Sequence, residues 1–170
     1  MNHPETKRLA AMATGKHENL DLLWKMIHSG DRETSINALW AITHLIKSSK
    51  SDSAWLQSLQ NEIIDMLLAE TDPSRKRMLL QLLRNQQYRS DSIRTDFLDF
   101  CLSKINSESE PYAVRAYCIY TAFKMCRPYP ELLSELQEHL SMLPMQTLSP
   151  GLECARRKTV EAIKIVRNTN

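Results

Sequence analysis

Apolar residues recur along this chain at steps of three and four. Leu20, Leu23, Trp24 and Ile27 make one stripe, and Ile36, Leu39, Trp40, Leu45 and Ile46 the next. Leu56, Leu59, Ile63, Met66 and Leu67 follow, then Leu79, Leu82 and Leu83. Further stripes run through Ile93, Phe97, Phe100, Cys101 and Ile105, and through Val114, Tyr117, Cys118, Thr121, Ala122 and Met125. Leu132, Leu133, Leu136, Leu140 and Leu143 come next, and Ala155, Val160, Ile163 and Val166 close the pattern. This spacing places the apolar side chains on one face of a helix. No segment keeps a period of two, so the pattern predicts an all-α chain without strands. Glycine agrees: Gly15, Gly30 and Gly151 are the only three, too few for a protein built on tight β-turns.

Polar breaks separate the stripes. Ser29-Gly30-Asp31 joins a helix-ending glycine to an N-capping acid. Thr71-Asp72-Pro73 sets a cap before proline, which the first helical position tolerates because its N–H has no helical partner there. Ser109-Glu110-Pro111 and Leu148-Ser149-Pro150 follow the same scheme, and Pro128-Tyr129-Pro130 marks another break. Pro73, Pro111 and Pro150 are separated by 38 and 39 residues, and Asp31 precedes Asp72 by 41. A recurrence of roughly 40 residues marks a stacked repeat array, in which each hairpin buries its apolar face against the next. The expected organisation is one domain over 1–170. Repeats lie near 19–47, 52–88, 91–127 and 130–168, and residues 1–18 form an N-terminal cap segment, helical around Glu5–Met12.

The opener Glu110-Pro111-Tyr112-Ala113-Val114-Arg115 resembles the second helix of HEAT repeats, which commonly begins Asp-Pro and continues Val-Arg. Asp72, Pro73 and Arg77 echo it, with Lys76 at the valine position. Asp31 and Pro150 open the first and last copies, which carry Ile36-Asn37 and Glu153-Cys154 instead. The chain is therefore similar, over roughly residues 20–168, to the small bacterial HEAT-like α-solenoids. The resemblance implies a right-handed α-α superhelix of about four helical hairpins. It also implies that the acid before the helix and the arginine within it bond between neighbouring repeats. That makes Asp72, Pro73, Arg77, Glu110, Pro111, Val114, Arg115 and Pro150 structural repeat residues.

Composition narrows the picture further. Apolar residues make up 42% and charged residues 25% of 170 positions, with mean hydropathy −0.40, a balance that supports a folded core rather than disorder. No run approaches the ~20 apolar residues of a membrane span, and the N-terminus has no signal-like stretch. Cys101, Cys118, Cys126 and Cys154 form no CxxC pair. The chain reads as cytoplasmic with reduced thiols, Cys118 and Cys126 acting as small core residues. Phosphate-binding loops, nucleophile elbows and HExxH are absent. His3, His17, His28, His44 and His139 are too scattered for a metal site. No catalytic residue, cofactor or metal is expected. Met66, Met78 and Met125 fall in core stripes. Trp24, Trp40 and Trp55, all in the N-terminal third, suit either helix packing or a binding surface.

Charge is partitioned although the net is only +2. The first helices of the last three pairs sum to −8 and the second helices to +8. In HEAT-like solenoids second helices line the concave face, so the resemblance implies a basic groove there. Arg75, Lys76, Arg84, Lys124, Arg156, Arg157 and Lys164 are its candidate binding residues. Such a groove attracts acidic peptides or nucleic acid. The leading expectation is a non-catalytic scaffold for a protein or acidic peptide. The alternative is nucleic-acid binding, as in the HEAT-like DNA-alkylation-repair proteins.

Overall fold

The computed structural model describes residues 17–47, 49–144 and 149–169, with His17 and Glu18 described in backbone only. The expected N-terminal cap segment lies almost wholly outside these residues. The described residues form nine α-helices and no strand. These are α1 (His17–Ile27), α2 (Arg32–Leu45), α3 (Lys50–Ser58), α4 (Gln60–Ala69), α5 (Pro73–Arg84), α6 (Thr95–Ile105), α7 (Tyr112–Cys126), α8 (Pro130–Ser141) and α9 (Pro150–Thr169). Among them, none is long and apolar enough to cross a membrane. The chain divides into two compact units, residues 1–82 and 83–170, and α5 runs across the division.

In the first unit α1 packs on α2. Gly30, at φ 81°, ends α1 in the left-handed conformation that glycine alone adopts without strain. Asp31 then caps α2, its Oδ2 accepting from Thr34 N at 2.8 Å. Leu20, Ile27, Leu39, Ile42, Ile63, Leu67 and Leu79 are fully buried within the unit and supply its hydrophobic stabilisation. The single stripe Leu56–Leu67 is not one helix. Ser58 Oγ donates to Trp55 O at 2.5 Å, and Leu59 N turns to Leu56 O at 3.0 Å. A side chain competing for a helical carbonyl, plus a tightened last turn, breaks the helix with no proline or glycine involved. Trp24 meets Trp55 edge-on at 6.1 Å, and Trp40 stacks on His44 at 3.7 Å. All three tryptophans are half-buried.

In the second unit α7 is the central helix, packed by α6, α8 and α9. It buries a broad face, from Val114 and Ala116 through Cys118, Ile119, Thr121 and Ala122 to Met125 and Cys126, while Tyr117, Tyr120 and Lys124 share a half-buried side. The openers are not in one register. Asp72 is the N-cap of α5, its Oδ1 accepting from Ser74 N at 2.9 Å and Arg75 N at 3.1 Å, and Pro73 occupies the first helical position. In α7, Pro111 is itself the N-cap, its carbonyl accepting from Arg115 N at 3.2 Å, and the helix begins one residue later.

Cys101, Cys118 and Cys126 are buried together, and Cys154 is half-buried; all four thiols are free. Burial pushes Cys101 well above the ordinary thiol range, reinforced by its contact with Cys118, and pushes Cys126 up to about 12. With an excess of a thiol-specific disulfide reagent, one thiol per chain is expected to react promptly and three only as the chain unfolds. Cys154→Ser should remove the fast phase. A fast phase counting two or more thiols contradicts this placement.

Candidate functional site

The candidate basic residues separate into engaged and unmatched groups once their neighbours are placed. Arg75 is engaged. Its Nε meets Glu70 Oε2 at 2.5 Å, and its Nη1 donates to Ser35 Oγ. Ser35 in turn donates to Ile27 O at 2.9 Å, satisfying a carbonyl left open at the end of α1. Beside this relay Arg32 Nε meets Asp72 Oδ2 at 2.5 Å, and that hydrogen bond holds the Asp72 carboxyl below its usual range. The depression of about 440 Å³ near these groups contains Arg32 and Arg75 with Glu70 and Asp72, so its charges are matched. Lys76 is half-buried and also engaged.

Arg77, expected to bond between repeats, is exposed, and the pairing falls to Arg75 instead. Counting from proline equates Arg77 with Arg115, but Pro73 is the first residue of its helix and Pro111 the cap before it, so the helical position of Arg115 falls on half-buried Lys76. Arg115 is 6% exposed and donates from Nε to Ile105 O at 2.8 Å. That bond joins the two helices of its own pair, not neighbouring repeats. Glu110 likewise meets Lys104 Nζ of its own pair at 3.2 Å.

On α9, Arg156 forms a two-pronged pair with Glu153, both contacts at 3.1 Å, and Lys164 meets Glu161 at 3.2 Å. The hydrogen bond from Arg156 chiefly lowers the Glu153 carboxyl, and the charge of exposed Arg157 adds to it. Arg156 and Lys164 thus face acids of their own helix at helical spacing, partly or fully exposed pairs that solvent screens.

Arg84 and Lys124 form a different kind of place. Lys124 Nζ donates to Arg84 O at 2.6 Å and to Gln86 O at 3.0 Å. It thereby satisfies carbonyls left open where α5 ends, where positive charge also suits the helix dipole. The Arg84 guanidinium lies 4.1 Å from the Tyr120 ring centre and 5.4 Å from that of Tyr117. Its N–H groups have no hydrogen-bond partner among the described residues. A depression of about 530 Å³ opens here, with Tyr88, Tyr120 and Phe123 as aromatic lining and Arg84, Lys124 and Arg127 as cations. No aspartate or glutamate lines it. Burial, and then the nearby Arg84 charge, hold Lys124 below the ordinary lysine range.

The sequence offered Arg84 and Lys124 only as members of a basic face. It did not single out Arg127, Tyr120 or Phe123. The available signal was the 40-residue offset between Arg84 and Lys124, one repeat apart, with Arg127 ending α7 before the Pro128 break. Among the described residues no cluster of three or more His, Cys, Asp or Glu side chains could hold a metal ion.

The HEAT repeat domain family matches this sequence over residues 1–163. No curated protein and no solved structure gives a match.

Proposed function

Because the chain belongs to the HEAT repeat domain family, we propose that it is a non-catalytic interaction module whose ligand is another protein. The family commonly supplies protein-interaction scaffolds. The observation that carries the reading is the membership itself, spanning nearly the whole chain. The reading over nucleic acid is favoured by the local pairing of the basic residues. Phosphate tracking needs several unmatched cations in sequence, whereas Arg75, Arg156 and Lys164 each face a carboxylate within hydrogen-bond distance.

Tagged full-length chain, recovered from its native host and treated with nuclease, is expected to retain a stoichiometric protein. The same chain titrated with duplex DNA at low salt is expected to show no tight complex. Tight DNA binding with a steep salt slope, weakened by charge reversal at Arg156 and Arg157, together with no retained protein, overturns the reading.

A further inference from the structure

We infer that the depression beside Arg84 in the second unit is the docking point for an acidic peptide segment, with a carboxylate on Arg84 and Arg127 and an adjoining apolar side chain against Tyr120 and Phe123. The inference rests on the protein-interaction reading above and names the partner's chemistry. Four observations converge on it.

The first is unmatched charge. Three cations line the depression without an acid, while elsewhere in this unit Arg89, Arg94, Arg156 and Lys164 each have a carboxylate partner. The second is a presented donor. The Arg84 guanidinium carbon lies over the Tyr120 ring, 4.1 Å from its centre, with no carboxylate beside it in the depression. A guanidinium edge matches the two oxygens of a carboxylate. The third is division of labour. Lys124 is tied to two backbone carbonyls, so it contributes field and shape, and exposed Arg127 supplies the second cation open to the ligand. The fourth is the aromatic lining. Tyr88 donates its hydroxyl to Leu83 O at 2.7 Å and is thus a fixed wall, while Tyr120 and Phe123 remain partly exposed. Aromatic surface beside arginine is the usual make-up of an interface anchor.

A single-stranded nucleic acid would also use rings and cations. Here the Tyr120 face that a base would stack on is covered by Arg84, and about 530 Å³ holds one or two side chains rather than a strand. The observations therefore favour the peptide.

The test uses the full chain, labelled with ¹⁵N, and three probes. One is a synthetic 12-residue peptide alternating glutamate with leucine and phenylalanine. The second has glutamine for every glutamate, and the third is a 12-mer of thymidylate. The acidic peptide is expected to shift amides of Tyr120–Arg127, and the glutamine peptide to bind at least about tenfold more weakly. Arg84→Gln should weaken the acidic peptide about tenfold, and Arg127→Glu by several-fold, whereas Lys158→Gln, at an exposed position of α9, should leave it unchanged. Because Arg127 is exposed, its reversal tests the site even if Arg84→Gln unfolds. Equal affinity for both peptides overturns the inference, as does binding indifferent to Arg84→Gln and Arg127→Glu, or Arg84-dependent binding of the oligonucleotide. A native protein partner retained equally by the Arg84→Gln/Arg127→Glu chain leaves the interaction module standing and removes only this site. Absence of any protein partner, with no peptide binding, removes both.

Discussion

Replacing Arg115 with alanine is expected to lower the melting temperature by about 8 °C. The side chain is 6% exposed, and its Nε is the donor to Ile105 O at the end of α6. Truncation leaves that carbonyl, in the interior of the second unit, without its charged donor. Hydrogen bonds from ionised donors are worth about 1.5–3 kcal/mol, and the buried stem adds roughly 1 more. A loss near 3 kcal/mol in a chain of this length corresponds to about 6–12 °C. Arg115→Lys, which keeps a donor of similar reach, should recover part of it. Ser35→Ala removes a comparable donor to Ile27 O in the first unit, but an uncharged one, and should cost about 1 kcal/mol. Scanning calorimetry of the three variants decides the matter. If Arg115→Ala melts within 2 °C of the parent chain, the bond to Ile105 contributes nothing and its burial needs another explanation.

The same pair of residues shows where sequence reading succeeds and where it stops. Helix faces follow from apolar spacing, because burial acts on every third or fourth side chain and is written into the sequence directly. Leu39, Ile63, Leu79, Phe97, Val114 and Ile163 fall in the stripes and are buried. Capping chemistry is also local, and Asp31, Asp72 and Ser149 can be read from three or four letters. The register of an opener is less determined. Proline suits both the N-cap and the first helical position, so Pro73 and Pro111 look equivalent while their helices differ by one residue, and counting from proline sets Arg77 instead of Lys76 at the position of Arg115. A break such as Leu59 is harder still, since it depends on Ser58 choosing its own backbone over solvent. Charge is the least legible property. Arg75 and Arg84 are both bases on α5, yet Glu70 is turned onto one and the other lies on Tyr120. Only the fold distinguishes an engaged cation from one left open to a ligand.

Phe97→Ala is expected to have the largest effect of any single change considered, about 3–5 kcal/mol or 10–15 °C in melting temperature. Phe97 is fully buried on α6, and its ring centre lies 6.2 Å from that of Tyr88. The cost combines lost burial of a large side chain with a cavity the surrounding helices fill only in part. Tyr88 makes the cavity observable. Its phenol is held above the ordinary range chiefly by burial and secondarily by Cys101, and its hydroxyl is committed to Leu83 O. A phenol whose folded pKa is raised lends stability that is complete below the ordinary phenol pKa of about 10 and is lost as pH rises toward the folded value. Opening a cavity beside the ring admits water and lowers that folded value. In Phe97→Ala, ultraviolet titration should therefore find Tyr88 ionising at lower pH than in the parent chain, and the dependence of stability on alkaline pH should flatten. Phe97→Leu, which keeps most of the volume, should cost about 1.5 kcal/mol or less and leave the phenol titration close to the parent's. A large loss of stability with an unmoved Tyr88 titration would mean the cavity closes over the ring instead of wetting it. A loss under 1 kcal/mol would mean that Phe97 is not the core residue its burial describes.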